Sequence, residues 1–180
     1  IFDGEEISET LKNLKKIRMQ CQMVYQDPYD SINPRMKVLD IISEPLEIHS
    51  IGTKLERKKI VLNALREVKL EPVEEIVNKH PHMLSGGQRQ RVVLARALAL
   101  RPKIIIADEP VSMLDVSVRA EILELMKEIQ KKNNISFIYI THDLATAKYF
   151  GQRIIILYLG KIMESGPINQ VLSRPMHPYT

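Results

Sequence analysis

The sequence of 180 residues contains no tryptophan, one cysteine and only 5% aromatic residues. A single thiol, Cys21, excludes an intramolecular disulfide and a cysteine-based metal cluster, which suits a reducing compartment such as the cytosol. So few aromatic rings provide few platforms on which nucleic-acid bases could stack. We therefore expect neither a disulfide-rich secreted domain nor a nucleic-acid-binding surface.

Long apolar runs and a strong excess of one charge are missing as well. The longest apolar stretches, such as residues 104–107 and 154–159, are far shorter than the roughly 18 residues of a membrane-spanning helix. Lys and Arg total 26 against 22 Asp and Glu, and the two signs are interspersed as on solvated helix faces. With 44% hydrophobic and 27% charged residues, the composition is that of an ordinary globular domain.

Hydrophobic periodicity divides the chain into a helical middle and an α/β remainder. Helical spacing is found in residues 38–44, 54–68, 72–78 and 88–100. Strand-like apolar runs are found in residues 23–26, 103–107, 135–140 and 153–159, with helical segments 118–130 and 144–150 between the later runs. A turn at residues 159–161 leads into a further short strand and a last short helix. Apolar strands that alternate with helices indicate a parallel sheet covered on both faces.

Two carboxylates, Asp108 and Glu109, follow the apolar run 104–107 directly. In open α/β sheets, ligands bind at the carboxyl ends of the strands. An aspartate there can hold Mg²⁺ through its water shell, and a second carboxylate can orient or deprotonate an attacking water. An ordinary polar turn before Pro110 is the alternative interpretation, and these residues alone leave it open.

A pair of glycines, Gly86 and Gly87, stands between Ser85 and Gln88 at the start of a predicted helix. Ser85 is a good N-cap, but two consecutive glycines cost helix stability. Their bare amides could approach an anion at the positive end of the helix dipole, and the polar residues that follow favour this interpretation. A flexible turn before an ordinary helix is the alternative.

Polar residues also end two other predicted strands. His142 follows the strand 135–140, where it could hydrogen-bond a terminal phosphate at the same edge as the carboxylates. Gln26 ends the first predicted strand, and its side-chain amide can accept from a metal-bound water. Taken singly, a structural histidine and a loop glutamine explain these two residues equally well.

Together and in this order, the motifs resemble those of the nucleotide-binding subunit of ABC transporters. Gln26 resembles the glutamine-loop residue of that family, and residues 84–88 resemble its signature motif. Ile104–Asp108 resembles the Walker B strand, and Glu109 stands in the place of the catalytic glutamate. Residues 112–115 resemble the D-loop, although Met113 occupies a position where a small residue is more usual, and His142 resembles the switch histidine.

The resemblance implies a P-loop NTPase (RecA-like) core with an inserted α-helical subdomain. Residues 1–33 and 101–180 would belong to the core, and residues 34–100 to the helical subdomain. ATP and Mg²⁺ are the implied cofactors, with Gln26 and Asp108 addressing Mg²⁺ through water. The implied catalytic residues are Glu109 and His142, and the implied nucleotide-binding residues are Gln26, Ser85, Gly86, Gly87, Gln88, Asp108 and Asp115.

The resemblance also implies partners and a location. Two ATPase subunits would pack head to tail and attach to transmembrane permease subunits, at the cytoplasmic face of the cell membrane. Residues 25–29, 31–36 and 174–180 resemble the ATPases of oligopeptide and dipeptide importers, in which the partner ATPase is related but not identical. ATPases for nickel or oligosaccharide import and a module that only binds a partner remain alternatives. A DNA-repair ABC ATPase is less favoured, because too few residues separate Gln26 from Ser85 for the coiled coil typical of that class.

One motif of the family is absent from these 180 residues. The phosphate-binding loop Gly-x-x-x-x-Gly-Lys-[Ser/Thr] occurs nowhere, and Gly52-Thr53-Lys54 has the wrong spacing and order. In the family, that loop lies before the position at which this sequence begins. We therefore expect the sequence to be a fragment that lacks the N-terminal strands of the core and is inactive alone.

Overall fold

The computed structural model describes residue 4 and residues 10–180, with residues 11 and 12 described by their backbone alone. In this part of the chain the helices are α1 (Leu11–Gln20), α2 (Val38–Ile48), α3 (Lys54–Glu67), α4 (Val73–Ile76), α5 (Gly86–Leu98), α6 (Val116–Asn133), α7 (Leu144–Phe150) and α8 (Ile168–Ser173), with a 3₁₀ turn at Pro81–Met83. The strands are β1 (Cys21–Val24), β2 (Ile104–Asp108), β3 (Ser136–Ile140), β4 (Arg153–Tyr158) and β5 (Lys161–Pro167). The expected α/β architecture is confirmed. Residues 1–138 and 139–180 form two compact units.

The helical middle of the first unit is built on three helices, α2, α3 and α5, which contact one another pairwise. Their apolar side chains recur every three or four residues, so each helix turns one apolar face toward the others. Ile42, Leu46, Leu65 and Leu94 are completely buried there. Burial of each such side chain contributes about 1.5–3 kcal/mol, so this cluster is a main source of stability for the unit.

Helix α2 continues past the end expected from the sequence. The helical spacing in residues 38–44 stops before Pro45, since proline removes a backbone donor and usually ends or bends a helix. In the structure, α2 runs through Pro45 to Ile48, and both Pro45 and Leu46 are buried. Packing of this last turn against the core outweighs the local preference of proline.

Three strands form a sheet with the order β1-β2-β3, and α5 contacts β1. Strands β1 and β2 are parallel, with Cys21 opposite Ile104 and Val24 opposite Ala107. The expected strand 23–26 is therefore wrong by two residues, because pairing with β2 sets the register and places Val24, which is fully buried, at its end. Helix α1, which precedes β1, was not expected from the sequence.

The second unit, residues 139–180, contains an antiparallel hairpin of β4 and β5. Leu159 and Gly160 both adopt positive φ angles, 46° and 73°, and form the expected turn. Helix α8 packs on β5 through Ile168 and Val171, both buried. The carboxylate of Glu164 accepts hydrogen bonds from the backbone N–H groups of Met176 and His177 in the C-terminal segment. No helix within the described residues combines the length and the apolar character needed to cross a membrane.

Candidate functional site

The candidate site begins at the end of β2. Asp108 is the last residue of this strand and is half-buried. Because β1 and β2 are parallel and Val24 pairs with Ala107, the chain leaves both strands at the same edge of the sheet. Gln26 does not end the first strand, as expected, but lies two residues beyond it in an exposed loop. Asp108 and the loop that carries Gln26 therefore lie at the same edge of the sheet, where ligands bind in open α/β folds.

Glu109 turns the chain sharply away from β2. Its backbone has a left-handed φ of 43°, which costs a non-glycine residue about 1–3 kcal/mol. The carbonyl of Glu109 accepts hydrogen bonds from the backbone N–H of Ser112 at 3.1 Å and from its hydroxyl at 3.0 Å. This turn gives the Glu109 side chain a direction different from the one that a continued strand would impose. The sequence predicted the carboxylate but not this strained backbone.

The side chain of Arg119 of α6 fixes residues 112–115, which resemble the D-loop, by hydrogen bonds to their backbone. Its Nε donates to the carbonyl of Leu114 at 2.7 Å, and its Nη2 donates to the carbonyl of Ser112 at 3.1 Å. Asp115 follows at the N-cap position of α6 and is exposed, and its side chain makes no capping hydrogen bond within the described residues. Its carboxylate is thus presented to solvent from a loop that Arg119 fixes.

Helix α5 begins at Gly86, two residues earlier than the predicted start at Gln88. The Ser85 hydroxyl accepts from the backbone N–H of Gln88 at 3.3 Å, and the Gln88 side-chain oxygen accepts from the backbone N–H of Ser85 at 3.0 Å. This reciprocal capping box stabilises the helix start. Gln88, predicted as a nucleotide contact, therefore also has a structural role in this conformation.

The glycine pair has a packing reason that the sequence did not reveal. A Cβ atom built on Gly87 would lie 2.6 Å from Cγ1 of Val118, and one built on Gly86 would lie 3.3 Å from Cδ2 of Leu114. Glycine at position 87 therefore lets α5 approach α6 closely, whereas a methyl group at position 86 would require only a small shift of the Leu114 side chain. As a result, residues 85–88 and residues 112–115 form one packed surface.

His142 belongs to the second unit and lies two residues after β3, as predicted, with an exposed side chain. Its neighbours fix the turn. The Thr141 hydroxyl accepts from the backbone N–H of Asp143 at 3.0 Å, and the Asp143 carboxylate caps α7 by accepting from the N–H of Ala145 at 2.8 Å. The backbone that carries His142 is therefore held on both sides.

The donor atoms suit the implied cofactors. A carboxylate and an amide oxygen, those of Asp108 and Gln26, are the hard ligands that Mg²⁺ prefers. In residue 4 and residues 10–180, no group of three His, Cys, Asp or Glu side chains forms a metal cluster. That donor set fits an ion held mostly by water and phosphate oxygens. The first amides of α5, which have no carbonyl partner within the helix, suit an anion.

Comparison with known families is consistent with this geometry. Residues 1–112 match the model of the ABC transporter family. The chain belongs to this family. Its mixed α/β structure is that of the ABC ATPase cassettes, as the resemblance of the motifs implied.

Individual relatives give the extent of the similarity. The chain is 46% identical over 183 aligned residues to the oligopeptide transport ATP-binding protein OppF of Bacillus subtilis, and the alignment covers 100% of this chain and 59% of OppF. The chain therefore spans little more than half the length of that relative. Its structure superimposes with a TM-score of 0.85 on cbiO1 of Clostridium perfringens, part of the ABC transporter complex cbiONQ, at 29% identity over 96% of this chain and 67% of cbiO1. The dimeric ATP-binding cassette MJ0796, in a post-hydrolysis state with ADP and Pi, gives a TM-score of 0.72 at 34% identity, covering 88% of this chain and 68% of MJ0796.

Proposed function

We propose that this chain is part of the ATP-binding and ATP-hydrolysing subunit of an ABC importer for oligopeptides or dipeptides. The observation that carries the proposal is the edge of the β1–β2 pair, where Asp108 ends β2, Glu109 follows it and Gln26 lies in the loop after the adjacent parallel strand. Family membership supports the ATPase class, and the similarity to OppF supports peptides as the solute. Import of nickel or oligosaccharides is the alternative within the same family.

The proposed roles follow from the chemistry of each group. Asp108 and Gln26 would hold Mg²⁺ through the water molecules around it. Glu109 orients and deprotonates the attacking water. His142 donates a hydrogen bond to the terminal phosphate. When bound, Mg-ATP supplies the phosphoryl group and the metal charge that offsets the negative charge of the phosphates.

The surface formed by residues 85–88 and 112–115 has a different role. In a head-to-tail dimer, Ser85 and the amides of the glycine pair contact the nucleotide held mainly by the other subunit, and Asp115 lies beside it. The dimeric cassette MJ0796 supports such an arrangement. Here the partner is a related, non-identical ATPase. Residues 34–100 act as the helical subdomain, and residues 1–33 and 101–180 as parts of the core.

In this proposal, the subunit is peripheral and lies at the cytoplasmic face of the membrane, bound to transmembrane permease subunits. The name of OppF, an oligopeptide transport ATP-binding protein, supports attachment to a transporter. Because the ATPase does not itself contact the solute, only an uptake measurement decides which solute is carried. Deletion of the gene should reduce uptake of short peptides, whereas normal peptide uptake with lost nickel or oligosaccharide uptake would contradict the peptide assignment.

The catalytic assignment is tested with Glu109→Gln in the full-length protein. This change removes the base but keeps a hydrogen-bonding side chain of the same shape. Hydrolysis should fall by about 10²–10⁴-fold, whereas nucleotide binding should persist. Glu75→Gln, on an exposed turn of α4, is the matched control and should hydrolyse ATP normally. Wild-type turnover in the Glu109→Gln protein would refute the role of Glu109.

A further inference from the structure

One charged side chain of α5 is buried where the helix meets the loop after β1. Arg89 is only 8% exposed, and it lies four residues after Ser85, on the first turns of α5. Its Nη1 donates to the carbonyl of Leu84 at 2.8 Å and to that of Pro81 at 3.2 Å. The guanidinium group therefore holds the backbone that leads directly into the capping box at Ser85.

The opposite side of the same guanidinium group is covered by Tyr29. The Cζ atom of Arg89 lies 3.8 Å from the centre of the Tyr29 ring, which is close enough for a cation–π interaction. Tyr29 is itself 57% exposed and lies in the loop three residues after Gln26. A surface ring thus shields a charge that is expensive to bury without partners. No hydrogen-bond acceptor for Nε of Arg89 lies within the described residues, so the ring and the two carbonyls are its main compensation.

A second arginine of α5 contacts the same loop. Nη1 of Arg96 donates to the carbonyl of Ser31 at 3.0 Å, and Nη2 pairs with Glu44 of α2 at 2.6 Å. Arg89 and Arg96 are seven residues apart, which is about two helical turns, so they lie on the same face of α5. The loop of residues 26–31 is therefore attached to α5 at two points, a side-chain ring and a backbone carbonyl.

We propose that Arg89 is a positioning residue that couples the loop of residues 26–31 to the start of α5 at Ser85. Displacement of Tyr29 removes one of the three groups that compensate the buried charge, so Arg89 shifts and with it the Leu84 carbonyl. Movement at Gln26 is in this way transmitted to the residues that resemble the signature motif. The linkage itself does not depend on ATP hydrolysis, although its effect on turnover rests on the function proposed above.

The linkage is tested first without nucleotide, by hydrogen exchange on the whole chain. Tyr29→Ala removes the ring from an exposed position, so the fold should persist. Backbone amides of residues 84–88 should then exchange about fivefold faster, although the substitution lies in another segment. Tyr29→Phe keeps the ring and should retain the original exchange rates. Unchanged exchange at residues 84–88 in Tyr29→Ala would overturn the proposal.

The second test measures turnover in the full-length subunit assembled with its partner subunits. Tyr29→Ala should lower kcat by about fivefold with little change in KM for ATP, because the coupled residues contact nucleotide across the dimer after initial binding. The double variant Tyr29→Ala/Arg89→Gln should lower kcat by a smaller factor than the product of the factors measured for the two single variants. Additive effects would contradict the coupling. If Tyr29→Ala speeds exchange at residues 84–88 but the unsubstituted, assembled subunit does not hydrolyse ATP, the proposed function is refuted and the linkage stands.

Discussion

The helical middle of the first unit and the hairpin of the second unit use apolar residues in opposite ways. In α2, α3 and α5, most large aliphatic side chains are buried against one another, and only Ile48 and Leu55, near helix ends, are more than half exposed. In the hairpin, by contrast, Ile155, Leu157 and Ile162 remain 58%, 61% and 63% exposed. The first region is stabilised by its own packed core, whereas the hairpin depends on its turn, on α8 and on a few polar contacts. Apolar content alone therefore says little about where stability resides.

The largest expected difference between the two regions concerns the loss of one leucine. Leu94→Ala, in the core of the helical middle, should lower the free energy of unfolding by about 2–5 kcal/mol because it leaves a cavity. Leu157→Ala, on the exposed face of the hairpin, should change it by less than about 0.5 kcal/mol. Urea unfolding followed by circular dichroism measures both. Equal losses would show that the exposed face is covered in solution.

A smaller effect is expected where the glycine pair packs on α6. Gly87→Ala should destabilise the first unit by about 1–3 kcal/mol, because the new methyl group would overlap Val118. Val118→Ala should make room and restore much of the loss when the two changes are combined. The single variant Val118→Ala is the control for the lost valine methyl groups. If the double variant is no more stable than Gly87→Ala, the overlap is not the cause.

The smallest effect is a pH response confined to the second unit. The carboxylate of Glu164 accepts hydrogen bonds from the backbone N–H groups of Met176 at 3.0 Å and His177 at 3.2 Å. Mainly because of the bond from Met176, the pKa of Glu164 is lowered from its ordinary value of 4.5. A lowered pKa means that the ionised form favours the folded state, so this contribution is present above pH 4.5 and is lost as the pH falls through the lowered value.

The measurement follows the amide resonances of Met176 and His177 by NMR from about pH 7 to about pH 3. Both should shift together at a pH below the ordinary value for glutamate. In Glu164→Gln, the neutral amide should abolish this transition while the resonances of the helical middle stay unchanged. A transition that survives in Glu164→Gln would assign the pH response to another group.

The sequence predicted the elements of both regions better than it predicted the helix and strand that precede the helical middle. Helices α3, α5 and α6 and strands β2 and β3 were predicted to within a few residues because their periodicity reports burial directly. Helix α1 was missed although Leu11, Leu14 and Ile17 recur at helical spacing. The position of β1 depends on pairing with β2, about 80 residues away. A local pattern cannot encode such a pairing.

The candidate site shows the same limit. Its polar residues were recognisable from their types and order, but the contacts that hold them were not. Arg89 reaches Tyr29 across 60 positions, and Gly87 meets Val118 across 31. The sequence favoured anion binding for the glycine pair, with a flexible turn as the alternative, whereas the structure adds a packing reason. Motifs in the sequence thus predicted which groups act, and tertiary contacts determine how they are held.

The left-handed backbone at Glu109 sets two selection pressures against each other. Glycine and asparagine adopt that φ at lower cost than glutamate, so glutamate is not the residue that would make the fold most stable at this position. A library randomised at position 109 and sorted only for folded protein should enrich glycine and asparagine. The same library sorted for ATP hydrolysis should return glutamate. The identity of this one residue would then report which property a population of variants had been selected to keep.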